Sequence, residues 1–414
     1  MPHFLLKFQI GPVQDFIAQA RSTRDLWSGS YLLSWLVAAG IRKLKQQGSL
    51  LIFPYDSEKC QPLLELPDSA RAADHKGLLT PNLPNIFIAK ISTEKPGKLA
   101  SEVKAAIAQE WQDIAQAVWN QRQDFGLPTT SQERFFAQIH RHLAISWQIT
   151  PLTDDSPSTY RTAYQHNGWH LDAVRQTRDF HAWNSAVESE NERLMTEKDS
   201  LSGKEEALVG GKDFKEARAK QGGEYANLFK HADYLGATAI IKRVWHIAYL
   251  RDLQKIKAGP GQNHIRSIPA IAARTTTLDD DEEAQEKTPG DKYIAAIAFD
   301  GDSIGAWVNG DRSPEGINLE KHHSNFSRFL SNFALGEVRK IVERQVDGWD
   351  KEKKPIKVPL GQLIYAGGDD VIATISTTNS SARFPAVRSC SAKTRSKSPK
   401  WRPCGSCSTV RPAA

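Results

Sequence analysis

Cysteine is close to absent from most of this 414-residue chain. Cys60 is the only one before residue 377, and the other three, Cys390, Cys404 and Cys407, sit together near the C-terminus. A single thiol rules out a disulfide framework and a four-cysteine zinc site in that long first part, and it suits a reducing cytoplasm, where the chain is expected to reside. No apolar run approaches the ~18 residues that a membrane-spanning helix needs, so no membrane partner is expected. Met1-Pro-His leads into a strand-like run without the basic region or cleavage site of a secretory signal. Acid is missing from one end: Val371 to Ala414 holds Arg383, Arg388, Lys393, Arg395, Lys397, Lys400, Arg402 and Arg411 but no Asp or Glu. Taking those eight from 54 basic residues leaves 46 against 48 acidic ones. Residues 1–370 therefore carry −2, and the chain's +6 is a property of the tail.

What the chain does have is a pair of acidic turns. Tyr293-Ile-Ala-Ala-Ile-Ala-Phe299 runs into Asp300-Gly301-Asp302-Ser303, and Leu360-Gly-Gln-Leu-Ile-Tyr365 runs into Ala366-Gly367-Gly368-Asp369-Asp370. Each is an apolar run that reads as a strand ending in carboxylates at a Gly-rich turn. Brought together, these carboxylates would suit a hard divalent cation, Mg²⁺ or Mn²⁺, which in turn holds nucleotide phosphates. Palm-type polymerases and nucleotide cyclases hold their metals in this way. Asp302 can equally cap the segment after it. Gly367 and Gly368 supply the backbone freedom of a tight hairpin and leave room for a phosphate or ribose. Taken alone, Gly-Gly-Asp-Asp is also an ordinary polar hairpin turn; the second acidic strand end is what favours metal binding.

The segment between the turns, Leu319 to Val346, repeats apolar residues at close to helical spacing: Phe326, Phe329, Leu330, Phe333, Leu335, Val338, Ile341 and Val342. The order strand, helix, strand, acidic turn, strand is the first three-quarters of a ferredoxin-like palm. The N-terminus carries a complete β-α-β-β-α-β copy: strands at His3–Ile10, Leu50–Phe53, Asn85–Ser92 and His142–Thr150, with helices from Ser28 or Ser30 to Gln47 and from Lys98 to Gln121. Its strand ends carry no acids. The predicted fold is α+β: an acid-free palm over residues 1–150, a mainly helical region over 151–274, an acidic linker over 275–291, an incomplete second palm over 292–376, and a basic Ser/Arg/Cys tail over 377–414.

The run Gly11-Pro-Val-Gln-Asp-Phe-Ile-Ala-Gln-Ala-Arg-Ser-Thr-Arg-Asp-Leu-Trp-Ser-Gly-Ser-Tyr-Leu-Leu-Ser34 resembles the N-terminal signature of the large subunit of type III-B CRISPR effector (Cmr) complexes. Tyr234–Trp245 and Ser267–Ala272 resemble that family's central region, and Tyr365–Asp370 its cyclase-like palm motif. The resemblance implies an RNA-guided antiviral complex of sister subunits with CRISPR RNA and target RNA. On target binding, its second palm would convert ATP to cyclic oligoadenylate. By position, Asp300, Asp369 and Asp370 would be the catalytic residues holding two Mg²⁺ or Mn²⁺ ions, with Gly301, Asp302, Ser303, Gly367 and Gly368 around the nucleotide.

Departures from the family pattern shape the remaining expectations. Many relatives carry a His-Asp phosphohydrolase-type nuclease domain, but no His-Asp dipeptide occurs here, so no nuclease of that kind is expected. After Ile375 the periodicities stop. The favoured expectation is that translation beyond about Thr377 is out of frame; an RNA-binding arm and a metal knuckle at Cys404 and Cys407 are the rivals. A palm without its second helix and fourth strand would be a loose mount for metal ligands, so weak or no activity is expected of the chain alone. Lys242, Arg243 and His246 read as core-helix residues sooner than as contacts to RNA or ATP. Trp27 reads as packing, with Arg21 and Arg24 open. The alternatives to a synthase are a catalytically degenerate scaffold that binds sister subunits and RNA, and a stand-alone palm enzyme using another nucleotide.

Overall fold

Strand β1, His3–Gly11, turns Leu6, Phe8 and Ile10 to one face and Leu5 and Lys7 to the other. Helix α1 (Gln14–Ala18) and the long helix α2 (Thr23–Gln46) come next, then β2 (Leu50–Phe53), β3 (Ile86–Ser92), α3 (Pro96–Asn120), α4 (Gln132–His142) and β4 (Ala144–Leu152). The sheet order is β2-β3-β1-β4 with every pair antiparallel, the expected β-α-β-β-α-β layout. In this computed structural model the described residues are 1–56, 62–65, 78–177, 197–229, 231–256, 265–276, 293–312, 316–350, 352–367 and 370–377. The expectations for the tail, and for Asp279 to Glu283 as part of a linker, lie outside them.

Helix α2 starts before the expected Ser28 or Ser30, and capping explains why. Ser22 Oγ accepts the Asp25 N–H at 3.1 Å, while the Asp25 carboxylate accepts the Arg21 N–H at 3.0 Å. Trp27 lies well inside the helix, 1% exposed, and its Nε1–H donates to the Leu79 carbonyl. Arg21 pairs with Asp233 at 3.1 Å and Arg243 with the same carboxylate at 2.9 Å.

The middle region is mainly helical. Helix α5 (Pro157–Gln176) lies on the second face of the first sheet. Helix α6 (Ala237–Trp245) continues as a wide π turn through Arg251 and is buried all round. Its start is held by Asp199, which accepts the Gly236 N–H, and by Gln138, which accepts the Ala237 N–H. Lys242 and Arg243 are 1% and 3% exposed, and Lys242 Nζ donates to the Phe16 carbonyl at 2.7 Å. These cations serve the core. Helix α7 (Ile268–Ala272), capped by Ser267, packs on the second sheet. Thr275, expected to open the linker, is buried and bridges to Trp349.

The second sheet comprises β5 (Ile294–Phe299), β8 (Gly361–Gly367) and β9 (Asp370–Ser376) in the order β5-β9-β8, again antiparallel. That is the β1-β3-β2 part of the first sheet repeated. Between β5 and β8 come α8 (Ile304–Val308), α9 (Leu319–Asn332) and a β6–β7 hairpin (Gln345–Trp349, Pro355–Pro359). The expected helix to Val346 passes through a π turn at Phe333–Val338 and stops at Val342.

The buried stripe of α9 also differs from the expected aromatic one. Leu319, His323, Ser327, Leu330 and Ser331 are buried, whereas Phe329 is 55% exposed. The cause is close approach: Ser327 Oγ accepts the Tyr55 N–H at 2.7 Å. Small polar side chains thus bring α9 against the β2 end of the first sheet. Leu319 joins Leu5, Ile52, Ile88 and Leu152 in the core on that face.

Candidate functional site

Register brings the two acidic turns together. Phe299, the last residue of β5, pairs with Val371 of β9, so Asp300 directly follows that pair and Asp370 directly precedes it. On the other side of β9, Gly367 pairs with Asp370; Gly368 and Asp369 come between them in the sequence. Those two residues lie outside the described ones. Asp300, Asp302 and Asp370 are exposed, as hydrated carboxylates at strand ends should be. Ser303 takes left-handed backbone angles (φ 58°) at the start of α8, and its Oγ accepts from Arg312 at 3.1 Å. A serine held there marks a turn fixed by its surroundings.

Gly367 has a reason other than backbone freedom, because its φ is not left-handed. A Cβ at Gly367 would lie 2.6 Å from the Tyr365 hydroxyl. Only hydrogen leaves room for that phenol. Just before it, β8 carries a bulge between Leu363 and Tyr365. The extra residue, Ile364, is fully buried in the large core of the first palm, and the bulge re-aims Tyr365 to Gly367 toward the turn. The Ala366 N–H donates to the Pro81 carbonyl at 3.1 Å, tying β8 to the loop between β2 and β3.

The acidic turn therefore faces a pocket shared by the two palms, about 220 Å³ in volume. Its floor is the second face of the first sheet, with Lys7, Ile86 and Ile88. Phe53, Pro84 and Tyr164 add to that side, and Ile304, Val308, Phe326, Tyr365, Gly367 and Asp370 close the other. The lining is largely apolar, with Lys7 and Asp370 as its charged members. Phe326 stacks on His322, ring planes 11° apart, and on Trp307. The volume lies below the 300–1,000 Å³ usual for whole small ligands, so it has room for only part of such a ligand.

Two adjacent histidines, not singled out by sequence reasoning, hold α8 in place. His322 Nε2–H donates to the Trp307 carbonyl at 2.8 Å, and His323 Nε2–H to the Val308 carbonyl at 2.6 Å. A carbonyl can only accept, so His323 Nδ1 is the acceptor, taking the Tyr160 O–H at 2.8 Å. Burial pushes the His323 pKa down to about 4 and keeps the ring neutral. The helix after Asp300-Gly-Asp302 is thus clamped between the two palms. Desolvation lowers Lys7 from its ordinary value and pushes Tyr164 up to about 12.

The donor set fits a hard divalent ion in kind: carboxylate oxygens at one sheet end, with no sulfur or imidazole among them. Among the described residues no three His, Cys, Asp or Glu side chains converge on one point. Asp300 and Asp370 flank the Phe299–Val371 pair, Asp302 comes two residues on, and the third expected ligand, Asp369, is outside the described residues.

Comparisons with known proteins agree with the two-palm fold. Residues 5–116 match the family described as CRISPR-associated protein Cmr2, N-terminal, and residues 293–401 match Cas10/Cmr2, second palm domain. The second match runs beyond Ser376 into the segment expected to be foreign to the fold. The CRISPR system Cmr subunit Cmr2 of Pyrococcus furiosus is 34% identical over 104 residues, which are 25% of this chain and 12% of that protein. Two cryo-EM structures of a type III-B Cmr-beta complex, apo and bound to cognate target RNA, contain a similar chain. Each has a TM-score of 0.59 over 90% of this chain and 60% of the other, at 13% and 12% identity. The chain thus spans less than two thirds of these relatives, and the structural likeness speaks for the fold. With its N-terminal stretch and its second palm matched in order, the chain belongs to the Cas10/Cmr2 family, that of the large subunits of type III-B CRISPR effector complexes.

Proposed function

We propose that this chain is the nucleotidyltransferase subunit of an RNA-guided complex, and that its second palm turns ATP into cyclic oligoadenylate when sister subunits, CRISPR RNA and target RNA assemble with it. The observation that carries the proposal is the Phe299–Val371 pair, which sets Asp300 and Asp370 at one end of the sheet, with Asp370 in the lining of the inter-palm pocket. Asp300 and Asp370, with Asp369, would hold two Mg²⁺ or Mn²⁺ ions. Such ions lower the pKa of an attacking ribose hydroxyl and offset charge on departing pyrophosphate. The chain's own residues bind and orient. Gly367 keeps the approach to the turn open, the apolar floor excludes water from the buried part of the nucleotide, and the His322–His323 clamp fixes α8 and so the acidic turn before it. The fold likeness to the Cmr-beta chains supports sister subunits as partners, and one of those complexes is described with its target RNA.

The test is ATP turnover by the full chain, alone and with sister subunits, guide and target. Asp300→Asn and Asp370→Asn should each cut cyclic product by about 100-fold or more while leaving the melting temperature nearly unchanged, since both side chains are exposed. Equal use of GTP counts against adenylate specificity. An assembled wild-type complex that binds RNA yet makes no product favours a scaffold that does not turn over nucleotide. The exposure around β5, with Phe299 39% and the preceding Tyr293 77% exposed, gives that second reading its footing.

A further inference from the structure

Lys7 is an oddity of β1: one cation in the apolar run His3-Phe-Leu-Leu-Lys-Phe-Gln-Ile10. It belongs to the acid-free palm, on the sheet face that forms the pocket floor, opposite Ile88 on β3 and Gln148 on β4. Its ammonium lies 5.3 Å from the centre of the Tyr164 ring. Among the described residues it makes no ion pair and no hydrogen bond. A lysine that served only to solubilise the surface would reach water. One that served the core would be paired, as Lys242 is through the Phe16 carbonyl. Lys7 does neither.

Desolvation is the largest influence on its charge and works against protonation, with the Asp172 carboxylate opposing and Arg175 adding to it. The ring face of Tyr164 compensates in part and holds the ammonium in place. A partly desolvated cation with no carboxylate in direct contact costs stability, and an anionic ligand would offset that cost. The same pocket carries Asp370 on the opposite wall. Any anion that Lys7 receives there must sit beside carboxylates, and the phosphate chain of a metal-bound nucleotide meets both conditions.

We propose that Lys7 binds the phosphate chain of the nucleotide, so that the acid-free palm supplies the cation for a site whose carboxylates come from the other palm. This rests on the nucleotide reading above. It gives the first sheet a part in ligand binding, and it makes nucleotide occupancy a link between the two palms. Lys7 is then a binding residue, with charge and reach as its essential properties.

The experiment is equilibrium binding of a fluorescent N-methylanthraniloyl ATP, and of unlabelled ATP and adenosine as competitors, to the full-length chain with Mg²⁺ and again with EDTA. Wild type, Lys7→Met and Lys7→Arg are compared, with thermal melting of each protein without ligand. Lys7→Met should weaken ATP at least tenfold in either condition and leave adenosine unchanged, because one charge-assisted phosphate contact is lost. Lys7→Arg should recover most of the affinity. The ligand-free Lys7→Met protein should melt no lower than wild type, since it no longer desolvates an unpaired charge. Equal ATP affinity in wild type and Lys7→Met overturns the assignment while the nucleotide site stands. An equal loss for adenosine and ATP overturns it in favour of a base or ribose contact. A Lys7→Met protein that melts well below wild type while Lys7→Arg binds no better marks Lys7 as structural and likewise overturns it. Absence of ATP binding by wild type removes the nucleotide reading itself, and this proposal with it.

Discussion

The two sheets share a strand order but divide the work. In the first, β1 has a neighbour on each side and Leu5, Leu6, Phe8 and Ile10 are wholly buried. In the second, β5 occupies the equivalent place and pairs only with β9 among the described residues. Phe299 at its end is 39% exposed. The first ends in Gly11-Pro12, the second in Asp300-Gly-Asp302. An ionised carboxylate at a strand end has to stay near water, because burying it unpaired would cost several kcal/mol. Stability is therefore concentrated in the copy that carries no acids. The copy with the acids is tied to the first by its own helix α9, by the Pro81 carbonyl and by the His323–Tyr160 hydrogen bond.

Substitutions can break or sharpen this contrast. The largest effect on stability should come from Phe8→Ala, which removes a fully buried ring stacked at 4.9 Å on Phe87. A loss of about 3–5 kcal/mol is expected in denaturant unfolding, and a loss below ~1 kcal/mol would contradict the first sheet as the stable platform.

Acid should act next, through the clamp. His323 titrates near its ordinary 6.5 when unfolded but near about 4 when folded. Its contribution is whole above pH 6.5 and is lost as pH falls toward 4, by up to about 3 kcal/mol. Unfolding midpoints measured across that window should drop, and His323→Gln should flatten part of the drop. Gly367→Ala should cost about 1–3 kcal/mol through its clash with the Tyr365 hydroxyl. Tyr365→Ala should recover part of that in a double-mutant cycle. The smallest effect belongs to Phe299→Ser, within about 0.5 kcal/mol, because its ring is already substantially in water. A loss near that of Phe8→Ala would show that β5 is as well packed as β1.

Much of this was legible in the residues. The first palm's four strands and two long helices obey alternation and helical spacing in β1, α2 and α3, and structure shifts only their ends. The acidic turns were legible because carboxylates after apolar runs are conspicuous. The buried stripe of α9 was not, because His323 and Ser327 gain their burial from hydrogen bonds to partners in Tyr160 and Tyr55, far away in sequence. The β6–β7 hairpin escaped notice because Gln345-Val-Asp-Gly-Trp349 reads as the polar end of a helix. Lys7 carried a signal, one charge in an apolar strand, but its meaning depends on the pocket that the other palm closes over it.

Ser327 and Ile364 also bear on how the gene can be dissected. The matched stretches, 5–116 and 293–401, invite a cut between the palms. Such a cut would strip Leu319 and Ser327 from the first sheet and pull Ile364 out of its core. Each fragment would carry away an apolar wound that only the other closes, so the smallest piece worth expressing is one that keeps both sheets in a single polypeptide.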